Sequence, residues 1–351
     1  MFALTVTHLR FVCEALTAIH LPRYEAGSRL RGALGNVMRR AYCAHALTPQ
    51  PPLPKSNSRF QERGSDLLPS PDNRFSSLGE GHRGGGCPVC WLLAANEQPG
   101  KERRGYALRP MLDPPEVIQP GQRFSFGLTL FGDAQRFLPY FILAVPEMGR
   151  IGVGAGYGKF ALRQVWADDP LTGQPEPVLA EGDSLVHVPA PVLFEERVQI
   201  ASDHWMHAVE ASGQVRLLFL TPMRLIEAGR LLKSPDFGVL FKRLLERIDE
   251  LSVQFGGGAA RPLDEVRDLQ TLADRVRLME AQTRWIEVKS GSTRRGQSSW
   301  ISGFVGEATY SAPPEVWKPL LPWLIWGEST QVGRSVVKGN GWYEMMLNGE
   351  R

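Results

Sequence analysis

The sequence predicts an α+β fold made of two tandem ferredoxin-like units, each βαββαβ, with an irregular insertion in the first. Three observations carry this expectation. First, two distant stretches share one plan. From Leu138-Pro139 the chain runs through Tyr140, Phe141, Ile142 and Leu143 into Gly149, Gly152, Gly154, Gly156 and Gly158, ending on Phe160. From Leu321-Pro322 it runs through Trp323, Leu324, Ile325 and Trp326 into Gly327, Gly333, Gly339 and Gly341, ending on Tyr343. The last two glycines and the aromatic keep the same offsets from Leu-Pro, so one helix–glycine loop–strand module is read as used twice. Second, Thr7-His8-Leu9-Arg10-Phe11 and Thr221-Pro222-Met223-Arg224-Leu225 read as equivalent first strands. Third, the hydrophobic period alternates between strand and helix values in the order each unit needs.

Taken in order, Phe2, Leu4 and Val6 alternate with Ala3, Thr5 and Thr7, the period of a half-buried strand. Over Gly27 to Ala44 the period becomes helical, with Leu30, Leu34, Val37, Met38 and Ala41 on one face. Arg29, Arg31, Arg39 and Arg40 fall on other parts of that helix, a solvated face or a basic surface. Residues 46–105 break the pattern: Pro49, Pro51, Pro52 and Pro54 precede a run rich in Ser, Asn, Arg and Gly that cannot supply a core. Strand alternation resumes at Phe124, Phe126, Leu128 and Leu130. A helix over about 133–148 and a strand over about 159–166 complete a first domain, 1–167.

A Pro/Gly/Asp-rich link, 168–190, leads to a second domain, 191–351. Val215 to Leu220 is almost wholly apolar and reads as a strand buried on both faces. Ser234-Pro235 reads as a cap and first-turn proline. The helix they open carries Leu240, Phe241, Leu244, Leu245, Ile248 and Leu251, and stops at Gly256-Gly257-Gly258. After another short helix, Trp285 to Lys289 and Trp300 to Val305 read as strands paired about a basic turn.

Composition narrows the function classes. The 351 residues hold 40 basic and 37 acidic side chains, a net charge of +3, so any nucleic-acid site must be a local patch. No apolar run approaches the ~18 residues that span a bilayer, and the N-terminus lacks a signal peptide's apolar block. Four cysteines do not make a secreted disulfide framework, so a soluble cytoplasmic protein without membrane partners is expected. The glycines at 149–158 do not match G-x-G-x-x-G and precede a strand, which excludes a dinucleotide fingerprint.

Two such units ending in glycine-rich turns resemble the RAMP superfamily of CRISPR proteins. More closely, the chain is similar to the CRISPR repeat-processing endoribonucleases. The matching parts are Arg29-Leu30-Arg31-Gly32-Ala33-Leu34-Gly35, the cysteine cluster, Gly121 to Phe131, Lys289 to Gly306, and Gly327 to Tyr343. The resemblance implies an enzyme that cuts precursor CRISPR RNA within each repeat, with no cofactor for catalysis. The ribose 2′-hydroxyl attacks the adjacent phosphate, leaving a 2′,3′-cyclic phosphate and a 5′-hydroxyl. That chemistry needs a base active near pH 7, as histidine is, a donor to the leaving oxygen, and a cation beside the phosphorane. Glycines let backbone N–H groups close on phosphate oxygens. CRISPR repeat RNA is the implied partner, with other subunits of a CRISPR effector complex as further candidates.

One departure bears on activity. Many relatives carry His-Val-Gly-Lys followed by Phe-Gly-Leu-Gly, where this chain has Gln331-Val332-Gly333-Arg334 and Lys338-Gly339-Asn340-Gly341. Glutamine cannot serve as base. Either another histidine acts, or the protein is an inactive subunit that holds crRNA through Arg334 and Lys338. The first candidate is His45, beside Tyr42, and the second His20, beside Tyr24, which flank the first helix; Lys338 is the candidate cation. His8 reads as core, and His187, His204 and His207 receive no role. RNA contacts are expected from Arg29, Arg31 and Arg39, from Lys289, Arg294 and Arg295 of the hairpin, and from Gly333, Arg334, Gly339 and Gly341. Cys43, Cys87 and Cys90 resemble the relatives' zinc-like cluster, with His45 or His82 as a fourth ligand to a structural zinc. Cys13 reads as core.

Overall fold

The computed structural model describes residues 2–43, 89, 92–93, 104–291 and 298–346. The first half forms a five-stranded antiparallel sheet of β1 (Val6–Ala15), β2 (Tyr106–Arg109), β3 (Arg123–Phe131), β4 (Phe160–Asp168) and β5 (Pro175–Leu179), in the order β2-β3-β1-β4-β5. Phe11 stands opposite Phe126 on β3 and Val165 on β4, placing all three in one core. The inward set Leu9, Phe11, Cys13 and Ala15 follows the strand period. Against it pack α1 (Ala26–Tyr42) and α2 (Leu138–Ile151), the latter entered through a 3₁₀ turn over Gly132–Phe137. The face read for α1 is buried at Leu30, Leu34, Val37 and Met38, whereas Ala41 is exposed in the last turn.

The second half begins with α3 (Glu195–Ser212), followed by β6 (Gln214–Met223), a small hairpin β7 (Leu225–Glu227) and β8 (Arg230–Leu232), α4 (Phe237–Phe255) and α5 (Leu263–Ala273). Then come β9 (Arg277–Ile286), the hairpin β10 (Lys289–Gly291) and β11 (Ser298–Trp300), β12 (Gly303–Ser311), α6 (Pro314–Thr330) and β13 (Tyr343–Met346). The main sheet is antiparallel, ordered β13-β6-β12-β9. Both sheets thus put the first and third strands of their half side by side, flanked by the second and fourth. A large core of Phe219, Phe241, Phe304, Tyr310, Trp317 and Trp326 fills the space beneath the helices.

Several expectations are corrected. The two threonine-led strings are not equivalent: Thr7 is the second residue of β1, while Thr221 is near the end of β6. The helix–glycine loop–strand plan recurs at both places, but Pro139 lies in the first turn of α2 and Pro322 lies inside α6. β6 alternates buried Val215, Leu217 and Phe219 with half-buried Leu218 and Leu220, because helices cover one face of its sheet only. Asp236, not Ser234, caps α4: its carboxylate accepts from the Val239 N–H at 2.9 Å. Pro235 instead presents its carbonyl to the Tyr310 hydroxyl at 2.8 Å. Part of the stretch read as a link, 175–179, pairs with β4 as the edge strand β5, and its prolines fit an edge. α3 had no strong sequence signal, since Val198, Ser202, Met206 and Val209 make only a narrow buried stripe.

The halves share an interface centred on the last turn of α6. Helix ends leave carbonyls without intrahelical donors. Here Arg109 of β2 donates to the Glu328 carbonyl at 2.6 Å, and Arg247 of α4 donates to the Thr330 carbonyl at 2.7 Å. Ser329 and Thr129 hydroxyls pair with the two ring nitrogens of His8, each at 2.9 Å. His8 is buried, and burial first, then the Arg109 charge, pushes its pKa well below the ordinary value, keeping it neutral. The Gln331 amide donates to the Leu108 carbonyl at 3.1 Å. The Arg109 guanidinium also lies 4.7 Å over the Trp342 ring, and burial lowers its pKa to about 10.

Glu328 accepts from the Met345 N–H at 2.7 Å, yet burial, reinforced by Glu344, raises its pKa to about 8 against the opposing effects of that bond and Arg109. A carboxyl raised on folding stabilises most below its unfolded pKa and loses that contribution as pH rises to its folded value. Stability should therefore fall between about pH 4.5 and 8 through this group. Urea unfolding of Glu328→Gln should show a flatter pH dependence over that window than the unsubstituted chain. An identical pH slope in both would remove Glu328 as its source.

Candidate nucleic-acid interface

The glycine-rich loop between α6 and β13 is pinned at several points. Val332 N–H donates to Gly341 C=O at 2.9 Å, Gly341 N–H to Pro222 C=O at 3.1 Å, and Arg334 N–H to Arg224 C=O at 3.1 Å. Buried Asn340 sends its amide to the Ile301 carbonyl at 2.9 Å, tying the loop to the base of the β10–β11 hairpin. Gly341 sits at φ 75°, and a Cβ there would overlap the Val332 carbonyl, so glycine is required.

The loop docks on the first half. A Cβ on Gly27, in the first turn of α1, would overlap the Lys338 carbonyl, and one on Gly339 would press into Pro110. Lys338 is half-buried, and burial, then Arg31 and Arg104, draw its pKa below the ordinary lysine value. Cations from α1 and from the approach to β2 thus both act on Lys338 of the glycine loop. Just before α1, the Tyr24 hydroxyl meets Arg284 of β9 at 3.2 Å, and Arg23 lies 5.2 Å over the Tyr24 ring. This geometry suits a polyanion crossing from one half to the other.

The other expected residues distribute unevenly. His20 is exposed, and its backbone bridges Ala155 in the first glycine loop. Arg29 pairs with Glu25 at 2.7 Å, while Arg31 and Arg39 are half-buried on α1. Arg334 and Lys289 are exposed, Gly333 is half-buried, and Gly339 and Gly341 are buried. Tyr42 packs edge-on to Tyr140 at 5.8 Å, and burial, then Glu147, raises its pKa. Tyr42 and Lys338 were expected in one centre and do not share one: Lys338 meets the start of α1, and Tyr42 ends it, about 22 Å away by helix rise. Gln331 is fully buried at φ 58°, facing Leu108 of the first half and not an open groove.

Cys43 is buried at the end of α1 and Cys13 in the core of the first half. His45, His82, Cys87, Cys90, Arg294 and Arg295 lie outside the described residues. Among the described residues no three metal-ligating side chains gather, and no helix is long and apolar enough to cross a membrane. Arg104, Arg284 and the Arg109–Trp342 pair were missed by sequence reasoning. The Arg103-Arg104 pair at the insertion's edge was a usable signal; Arg284 was hidden by a strand start read eight residues late.

Comparison with known proteins decides the family of the second half. Residues 217–343 match the family model of the CRISPR-associated endoribonuclease Cas6. Over these residues the chain is similar to the Cas6 endoribonucleases. The resemblance read from the sequence is borne out over these residues. Residues 4–55 and 82–191 match a family of N-terminal domains. No curated protein sequence matches the chain. Among solved structures, Cas6 from Thermus thermophilus is similar at 14% identity and TM-score 0.52, covering 98% of this chain and 99% of that one. A product complex of the same Cas6 gives 15% identity and TM-score 0.53 over 97% and 100% of the two chains. A partial Cas6-RT-Cas1–Cas2 complex gives 12% identity and TM-score 0.58, this chain spanning 47% of that one. These likenesses establish a Cas6-like α+β fold.

The contact between α1 and the glycine loop is open to a paired test. Gly27→Ala should cost about 2 kcal/mol, as overpacking against backbone does. Gly32→Ala, on the same helix with open space at its Cβ, should stabilise by about 1 kcal/mol. Equal effects of the two in urea unfolding would contradict the docking of the loop on α1.

Proposed function

We propose that the chain is a metal-independent endoribonuclease that cuts precursor CRISPR RNA within the repeat. A ribose 2′-hydroxyl attacks the adjacent phosphorus, the 5′-oxygen leaves with a proton, and a 2′,3′-cyclic phosphate remains. The observation that carries this reading is the match of residues 217–343 to the Cas6 endoribonuclease model. The seat of its glycine loop on α1 supports it, since the loop brings Lys338 to Arg31 and Arg104, a cationic group suited to a phosphorane. We read the two sheets as tandem ferredoxin-like units over 1–167 and 191–351. Repeat RNA is the substrate, and the solved product complex and Cas6-RT-Cas1–Cas2 complex of similar proteins favour other CRISPR proteins as partners.

Within this reading the start of α1 outranks its end. His20 and Tyr24 precede the turn that Lys338 contacts, whereas Tyr42 is remote from it. His20 is assigned as base and Tyr24, held by Arg284, as proton donor. Gln331 is buried against Leu108, so the absence of histidine there removes no exposed base.

The test is purified protein with its host's repeat RNA in excess chelator, followed by analysis of the product ends. Cleavage should persist and yield cyclic phosphate. His20→Ala should slow it roughly a hundredfold with binding nearly intact. Gln331→His should bring no gain. Loss of cleavage in chelator, or 3′-hydroxyl products, would reject the mechanism, and slowing by His45→Ala but not His20→Ala would move the base to the other end of α1.

A further inference from the structure

The β10–β11 hairpin carries an aromatic side chain that neither core accounts for. Trp300 is 57% exposed, although tryptophan is a large apolar residue that folding ordinarily covers. The hairpin is tied at its base by hydrogen bonds. At the hairpin's base Val288 and Ile301 are buried, and the Ile301 N–H donates to the Val288 carbonyl at 2.9 Å. The Val288 N–H is held by the Ser302 hydroxyl at 3.0 Å. The Ile301 carbonyl takes the Asn340 amide from the glycine loop at 2.9 Å. With those two residues pointing inward, strand alternation sends their neighbours Lys289 and Trp300 outward. Lys289 and Trp300 are direct cross-strand partners, so an exposed cation and an exposed indole share one face.

An exposed aromatic marks either a protein contact or a stacking surface, and the surroundings favour the second. The exposed apolar side chains of β9, Leu278 and Met279, sit at the far end of that strand, about 25 Å from the hairpin. Trp300 is therefore no part of an apolar patch with them. The acid at the hairpin's base, Glu287, is engaged by the Trp285 indole at 2.6 Å and the Ser302 hydroxyl at 2.8 Å. A flat π-face beside a lysine matches one nucleotide, base on indole and phosphate on ammonium. Base pairing would hide that face, so the nucleotide must be unpaired.

We propose that Trp300 and Lys289 form a stacking platform for an unpaired nucleotide of the bound RNA, fixed in place relative to the glycine loop through Asn340. This rests on the RNA-binding reading above. It adds a requirement that the RNA be single-stranded where it crosses the hairpin.

The experiment measures affinity of the full chain for a stem-loop RNA with an unpaired uridine run on each side, and for a blunt duplex of equal length. Trp300→Ala should bind the flanked stem-loop about tenfold more weakly, with an unchanged salt slope, and the blunt duplex as before. Trp300→Phe should recover to within about threefold, and Lys289→Ala should make the salt slope shallower. Trp300 is exposed, so its truncation removes no core contact, and the circular dichroism of each variant checks the fold. Equal affinity of Trp300→Ala and the unsubstituted chain for the flanked RNA would overturn the proposal, as would equal losses on both RNAs. Loss of self-association in Trp300→Ala with RNA affinity unchanged would also overturn it, assigning Trp300 to a protein contact. Absence of RNA binding by the unsubstituted chain would instead reject the functional reading beneath it.

Discussion

The end of α6 is where this structure is held together. A helix C-terminus concentrates unpaired carbonyls and partial negative charge, and burying one between two sheets is costly unless cations and donors reach it. Arg109 arrives from the first half and Arg247 from the second, each at a different carbonyl of the same turn. His8 and Gln331 complete the polar contact, one through hydroxyls and one through a backbone carbonyl. Removing one member would leave buried polar groups unsatisfied, which is why the contact specifies one arrangement of the halves.

That arrangement sets the position of everything functional. The glycine loop begins where α6 ends, so fixing the helix end fixes where the loop lies against α1. Lys338 is thereby delivered to Arg31 and Arg104, and Asn340 to the base of the hairpin. Neither half alone contains the cationic junction. The first supplies Arg31, Arg104 and Tyr24, and the second supplies Lys338 and Arg284. A binding surface split this way depends on the interface as much as on its own residues.

Much of this was legible in the sequence where a local rule decides. The buried face of α1, the stop of α4 at Gly256 and the hairpin pairing of Lys289 with Trp300 all follow from periodicity, glycine and strand pairing. The failures arise where tertiary packing decides. Ser234 and Asp236 are both good caps, and only the geometry of the chain entering α4 selects the aspartate. α3 is a helix whose stripe against the second core is too narrow to stand out. The candidate centre suffered most, because sequence proximity to α1 says nothing about which of its ends meets the glycine loop. Gln331 likewise looked like a lost catalytic position, and its burial is visible only once the halves are docked.

In the proposed function both halves form one RNA surface through the glycine loop's seat on α1. Hydrogen exchange of the full chain, with and without repeat RNA, addresses it directly. The account predicts that RNA slows exchange together in residues 20–31 and 332–341, with matching dependence on RNA concentration. Protection confined to one half, or at unrelated RNA concentrations in the two segments, would contradict it.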